Sequence, residues 1–360
     1  MSEQLQARLK HLVAAIYDPH TGQGLGDAVR GLAVSDGKVA VDIVLGYPAA
    51  GWADQLSKVV RNALMADDAV EAVTVDLGFL VVAHSVQEGL TPMPGVRNVL
   101  AVSSGKGGVG KSTVAVNLAL ALQAEGARVG ILDADIYGPS QPRMLGLKGG
   151  PRTVDGNKIL PMEAHGLQAM SIGVLVRQDQ AMIWRGPMAT QALQQMFTQT
   201  LWENLDYLVV DLPPGTGDIQ LSLAQKIPVA GAIAVTTPQE VAVDDVRRAV
   251  MMFGQVKIPV LGVLENMSTH ICSNCGFEEA VFGRGGGERI AAELGLPLLG
   301  QVPLNAGLGR STDEGAPVVV ADPENPVSQR FREIARRTAG LLSAQARNTA
   351  VRMPKIKIVE

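Results

Sequence analysis

The sequence predicts an α/β protein in which a small α+β domain precedes a doubly wound, mostly parallel sheet. Three observations carry this. From residue 96 onward, continuous apolar runs alternate with stretches of helical periodicity, as when strands are covered on both faces by crossover helices. Before residue 88 the order is different: a helix, two strands joined by a tight turn, a second helix and a third strand. Between the two parts lies the segment from Glu88 to Asn98, whose Gly89, Pro92, Pro94 and Gly95 suit a linker.

The elements follow in order. Apolar residues at 5, 9, 12, 13 and 16 share one face of a helix. Asp18-Pro19 and the glycines between 22 and 26 end it. Residues 31–34 and 38–45 read as strands around the turn Ser35-Asp36-Gly37. A second helix over 52–65 and a third strand over 70–77 complete the unit, with 78–85 extending or adding to the sheet. The expected organisation is a small domain over 1–88, a linker over 89–97, the larger domain over 98–346 and a tail over 347–360. In the larger domain the expected strands are 99–103, 128–132, 207–211, 232–236, 260–265 and 298–302. The expected helices are 111–125, 190–201, 241–255, 287–294 and 326–345. A ligand of such a sheet sits beyond the carboxyl ends of its strands. The end of the tail alternates Lys355, Ile356, Lys357 and Ile358, as an added strand or a disordered terminus does.

Composition narrows the function. The 360 residues are 47% apolar and 18% charged, enough to bury a large core. A net charge of -4 does not fit a nucleic-acid-binding surface. No apolar run reaches the roughly 18 residues of a membrane span, and the polar start from Met1 to Lys10 is unlike a secretory signal. A cytoplasmic protein with neither nucleic acid nor membrane as partner is expected.

The run Gly105-Lys106-Gly107-Gly108-Val109-Gly110-Lys111-Ser112-Thr113 fits two patterns. One is the dinucleotide fingerprint G-x-G-x-x-G, with Asp133 and Asp135 following the next strand. The other is G-x-x-x-x-G-K-[ST], and three features select it. Lys111 directly follows Gly110, Ser112 and Thr113 supply hydroxyls for Mg²⁺, and the later strand end Val209-Val210-Asp211 supplies an acid to support the metal. The larger domain is therefore expected to be a P-loop NTPase domain that binds and hydrolyses ATP. Glycines let backbone N–H groups form a nest around phosphate, and the helix that starts near Lys111 adds its positive end. Lys111 places its charge on the β- and γ-phosphates, and Ser112 ligates Mg²⁺. Asp135 and Asp211, beside the loop, suit activation of water or support of the hydrated metal. Asp133 suits a capping role as well as a chemical one.

Lys106 is a second lysine inside the loop. Loops of the form GKGGxGKST resemble those of the MinD/Mrp/nitrogenase-iron-protein class of ATPases. Asp133-Ala134-Asp135-Ile136-Tyr137-Gly138-Pro139-Ser140 and Asp211-Leu212-Pro213-Pro214-Gly215-Thr216-Gly217-Asp218 resemble the two switches of that class. The resemblance implies that Lys106 reaches across a homodimer interface to the partner's phosphates. It implies that Asp135 acts on the attacking water, that Asp211 holds hydrated Mg²⁺ and that Asn266 reads the adenine. Trp184-Arg185-Gly186-Pro187 also resembles a segment of the class, with no chemical role evident.

The two cysteines, Cys272 and Cys275, are spaced C-x-x-C. So short a loop is a poor disulfide staple, and the spacing points to metal or redox chemistry. On spacing alone, zinc and iron–sulfur stand level: two chains about a twofold axis offer four thiolates, which suit either a tetrahedral zinc or a [4Fe–4S] cluster. His270 reads as a loop histidine rather than a ligand. The run from Glu265 to Gly276 resembles the Mrp/ApbC branch of the class, and the small α+β domain resembles one joined to that branch and found in iron–sulfur assembly factors. This implies an ATP-dependent iron–sulfur cluster carrier, with Cys272 and Cys275 of two chains bridging a [4Fe–4S] cluster. Apoproteins and cluster assembly factors are the implied partners. Residues 47–51, Tyr-Pro-Ala-Ala-Gly, lack the cysteine that some relatives carry there, so the small domain is not expected to ligate a cluster.

Two rival readings stand beside this one. In the first, the chain is a MinD/ParA-like positioning ATPase with a structural zinc knuckle. The net charge and the last helix count against it, since Arg330, Arg332, Arg336 and Arg337 are interrupted by Glu333 and read as a solvated face. In the second, the chain is a metal-binding scaffold with vestigial nucleotide use, which the complete phosphate loop disfavours. Met251-Met252 reads as core filling.

Overall fold

The computed structural model describes residues 2–154, 158–175, 186–272 and 274–347. Trp184, Arg185, Ser273 and the tail from residue 348 lie outside the described residues. The small domain comprises α1 (Ser2–Ala14), β1 (Val29–Ser35), β2 (Lys38–Leu45), α2 (Ala53–Met65) and β3 (Ala72–Phe79). β1 and β2 pair antiparallel and β3 joins β2 in parallel, because α2 crosses over between them. β2 alternates Val39, Val41, Ile43 and Leu45 inward, so one face of the sheet packs on the helices. The segment 78–85 divides: Gly78 and Phe79 complete β3, and His84 instead bridges to Arg347 at the far end of the chain.

The larger domain begins with β4 (Val96–Ser104), α3 (Lys111–Ala124) and β5 (Val129–Asp133). Next come a short hairpin of β6 (Met162–Ala164) and β7 (Leu167–Ser171), then α4 (Gly186–Gln199), β8 (Leu205–Asp211), α5 (Asp218–Lys226), β9 (Gly231–Thr236) and α6 (Glu240–Gln255). The domain closes with β10 (Val260–Ile271), β11 (Glu278–Glu279), α7 (Gly286–Glu293), β12 (Leu298–Leu304) and α8 (Pro326–Ser343). These strands form one 9-stranded sheet in the order β6-β7-β5-β8-β4-β9-β10, with β11 and β12 both on β10. All pairs are parallel except β6·β7 and β10·β11. Central β4 buries Leu100, Ala101 and Val102 completely, as a strand covered on both faces must.

α3 is apolar all round, with every residue from Val114 to Leu122 buried. It lies between the sheet and α8, which explains why no amphipathic stripe marks it. The core is continuous with that of the small domain: Leu9, Tyr47 and Leu56 belong to the same apolar cluster as Val114 and Phe331. Glu125, the C-cap of α3, closes the junction. It is fully buried, accepts hydrogen bonds from Gly51 N at 2.7 Å and from Arg332 Nε and Arg336 Nη1 at 2.7 Å each, and its carbonyl accepts from Ala50 N.

Arg332 and Arg336 therefore belong to a buried ion cluster rather than to a solvated face, because α8 lies along the domain junction. The methionine pair also divides. Met252 is core, and Met251, one residue round the α6 helix, is 61% exposed.

Candidate functional site

The phosphate loop connects the carboxyl end of β4 to the first turn of α3, where the sequence pattern puts it. Gly108 and Gly110 hold positive φ of 83° and 79°, a conformation that costs other residues strain. Side-chain space is closed at two more points: a Cβ on Gly105 would collide with the Asp245 backbone, and one on Gly110 with the carboxamide of Asn266. Asn266 Nδ2 donates to Val109 O at 2.9 Å, so the loop is tied from behind to β10. A cleft of about 290 Å³ opens on the loop, lined by Lys106, Gly107, Gly108, Lys111, Ser112, Thr113, Asp135 and Ser140 among others.

The charges converge here. Lys111, buried at the start of α3, pairs with Asp211 at the end of β8 and lies 3.9 Å from Asp135 Oδ2. Its Nζ is 3.4 Å from Ser112 Oγ. Gln141 completes the arrangement: its Nε2 donates to Asp211 Oδ2 at 2.9 Å and to Ser112 O at 3.0 Å. No motif marks this glutamine in the sequence; the available signal is its place just after the Asp133–Ser140 segment. Burial raises the Asp135 carboxyl above the usual aspartate range, and Lys111 partly offsets this. Lys106 lines the cleft half-buried, and no ion pair among the described residues engages it.

Asp133 has the scaffolding role. Fully buried, it accepts hydrogen bonds from Asp135 N and Gln141 N at 3.1 Å each and from Ser171 Oγ at 3.0 Å. It shapes the segment that presents Asp135 and Gln141 to the cleft. Burial and repulsion from Asp211 push its carboxyl up to about 7.

The residues also fit Mg²⁺. Asp211 is a fully buried carboxylate that shares Lys111 Nζ with the Ser112 hydroxyl, and Ser140 Oγ and Gln141 Oε1 are buried without partners among the described residues. Such polar atoms suit a hydrated cation and its phosphate ligands.

The cysteines lie apart from the cleft, in the turn that follows the strand carrying Asn266. β10 was expected to stop at Glu265. It runs on to Ile271, turning at Met267, where φ is +55°, and pairing again at His270 with β11 and β12. Its polar run of Asn266, Ser268, Thr269 and His270 hides this extension from an apolar-run reading. Cys272 and Cys275 occupy the turn between β10 and β11. Cys272 N donates to Phe277 O at 3.0 Å, Gly276 N donates to Cys272 O at 2.9 Å, and Gly276 supplies the positive φ of 70° that the knuckle needs. Cys272 is partly exposed, Cys275 is exposed, and both are free thiols. Backbone N–H groups of Cys275 and then Asn274 favour the Cys272 thiolate and lower its pKa. Among the described residues, no group of three or more His, Cys, Asp or Glu side chains gathers to hold a metal. His270 is a ladder residue paired with Glu279 and Leu304. No helix among the described residues is long and apolar enough to cross a membrane.

Comparison with known proteins places both parts. The family described as NUBPL iron-transfer P-loop NTPase matches residues 95–339, and the family described as iron-sulfur cluster assembly protein matches residues 4–77. An iron-sulfur cluster carrier protein of Escherichia coli strain K12 is 58% identical over 249 residues, 69% of this chain and 68% of its own length. One from Haemophilus influenzae is 50% identical over 300 residues, 83% of this chain and 81% of its own. Among solved structures, a nucleotide-binding protein from Archaeoglobus fulgidus in complex with ADP is 36% identical with a TM-score of 0.56, covering 66% of this chain and 92% of that one.

Proposed function

The chain belongs to the NUBPL iron-transfer P-loop NTPase family, and on that premise we propose that it is an ATP-dependent iron–sulfur cluster carrier. It takes up a cluster on Cys272 and Cys275, hydrolyses ATP in the cleft at the phosphate loop, and passes the cluster to apoproteins. The observation that carries this reading is the continuity of β10: Asn266 ties it to the phosphate loop, and the strand runs on to Ile271, the residue before Cys272. A shift of the loop on hydrolysis therefore has a direct path to the cysteine hairpin.

The roles follow from position. The loop N–H groups and Lys111 bind the β- and γ-phosphates. Ser112 and Asp211 would hold Mg²⁺, which neutralises phosphate charge. Asp135, with its carboxyl raised, accepts the proton of the attacking water as ADP leaves. Asn266, whose amide is bonded to the loop, reads the adenine edge. Lys106, with no carboxylate partner among the described residues, reaches the phosphates of a second copy. Two cysteines per chain make the cluster site a shared one: a [4Fe–4S] cluster takes four thiolates, so two chains bridge it.

Anaerobic reconstitution with iron and sulfide tests this, followed by metal counts and mass in solution. About four iron and four sulfide per dimer are expected, with uptake abolished in Cys272→Ser and Cys275→Ser. Tightly held zinc without iron uptake would overturn the carrier reading.

A further inference from the structure

Three large apolar side chains flank the cysteine pair along the hairpin, and none serves the core. Ile271, which ends β10, is 40% exposed; Phe277, just past the turn, is 65% exposed; Val281, beyond β11, is 51% exposed. A hairpin tip standing in solvent needs no such residues, and the same ribbon is otherwise polar: Glu278 and Glu279 are exposed, and Thr269 Oγ1 donates to Glu278 Oε1 at 2.7 Å. Large apolar side chains gathered in the exposed tip of one otherwise polar ribbon mark a contact. Exposed Tyr137 and Val241 follow the carboxyl ends of β5 and β9, strands that run the same way as β10, so they lie along the same edge of the sheet.

We propose that Ile271, Phe277 and Val281 form an apolar collar that closes around the cluster when the hairpins of two copies of this chain meet, and that the collar sets how long the cluster is held. The inference rests on the carrier function proposed above. Ligand count fixes the occupant: each chain brings two cysteines, so a second hairpin stands opposite the first. A twofold axis through the cluster sets each collar against its counterpart. The hairpin contact alone, three apolar side chains from each copy, is small beside the roughly 1,200 Å² of a stable interface. It therefore closes with the cluster as bridge, and exclusion of water and oxygen depends on the apolar ring being complete. Glu278 and Glu279 bring like charges together across the axis, which favours reopening once the cluster leaves.

The test compares the full-length wild type with the double variant Phe277→Ser/Val281→Ser and the conservative Phe277→Leu. Each is reconstituted anaerobically with iron and sulfide. Iron content, mass by light scattering, ATP turnover and the decay of cluster absorbance on admitting air are then read. The double variant is expected to keep its initial iron and its ATP turnover, to lose absorbance roughly tenfold faster, and to fall back to monomer sooner, with Phe277→Leu close to wild type. Equal decay and equal dimer fraction in wild type and double variant overturn the collar while leaving the carrier function standing. Unchanged decay with slower delivery to an apoprotein assigns these residues to the recipient and likewise overturns it. A wild type that takes up no iron brings down the carrier reading first, and the collar with it.

Discussion

Asn266 reaches from β10 to the carbonyl of Val109 at 2.9 Å, joining the strand that leads into the cysteine turn to the back of the phosphate loop. The contact is packed closely enough that Gly110 has no room for a side chain beside it. Asn266→Ala leaves the Val109 carbonyl without this donor and loosens the loop. Nucleotide affinity should fall about tenfold, the value of one buried hydrogen bond, measured by equilibrium titration of a fluorescent ADP analogue. In the same variant, nucleotide should lose its influence on the rate of cluster release. Unchanged affinity would show that β10 does not brace the loop.

Gln141 spans Asp211 Oδ2 and Ser112 O. Gln141→Ala removes both bonds and lets the Asp211 carboxylate turn. The expected outcome is a kcat for ATP hydrolysis lower by about tenfold and a higher Mg²⁺ concentration at half-maximal rate, with metal-free nucleotide binding little changed. Steady-state assays across a Mg²⁺ series separate these effects.

Asp133 carries a pH signature. Its carboxyl is raised from 3.8 to about 7 by burial and then by the charge of Asp211. Between those values the folded chain binds a proton that the unfolded chain has released. The contribution to stability is therefore complete below the unfolded value and is lost as pH rises towards 7. Asp133→Asn should flatten this part of the curve. Melting temperatures of both proteins from pH 4 to pH 8 check it, and parallel curves would contradict it.

Glu125 is fully buried between Arg332 and Arg336. Glu125→Ala strands two guanidinium groups at the domain junction. A loss of about 3–5 kcal/mol is expected, measured by urea unfolding, with earlier proteolysis in the segment around Pro92 and Pro94. Stability within error of wild type would mean that water replaces the carboxylate at no cost.

The sheet is legible in the sequence where apolar runs dominate its strands, as in β4, β8 and β9, and the phosphate loop is legible because its glycines and lysine keep fixed spacing. β7 is not legible, because Leu167-Gln168-Ala169-Met170-Ser171 is short and carries a polar residue within an edge hairpin. The pattern of β10 ends at Glu265, short of the strand itself, because a strand that twists out of the core to present a turn has no reason to remain apolar. The carboxylates of the cleft were legible from strand ends, and Cys272 and Cys275 from their spacing. Gln141 was not, since a lone glutamine acquires meaning only when folding brings it to Asp211. Arg332 and Arg336 looked solvated for the same reason: their partner, Glu125, is more than two hundred residues away in sequence.

α3 has Lys111 at one end and, as its C-cap, Glu125 at the other. Its 14 residues span about 21 Å. One stiff rod thus connects the phosphates to the wall on which the small domain sits, with no flexible joint in between. A protein that grips the small domain pushes on the far end of the same rod. By reciprocity, whatever nucleotide does to that grip, the grip must do to nucleotide affinity in equal measure.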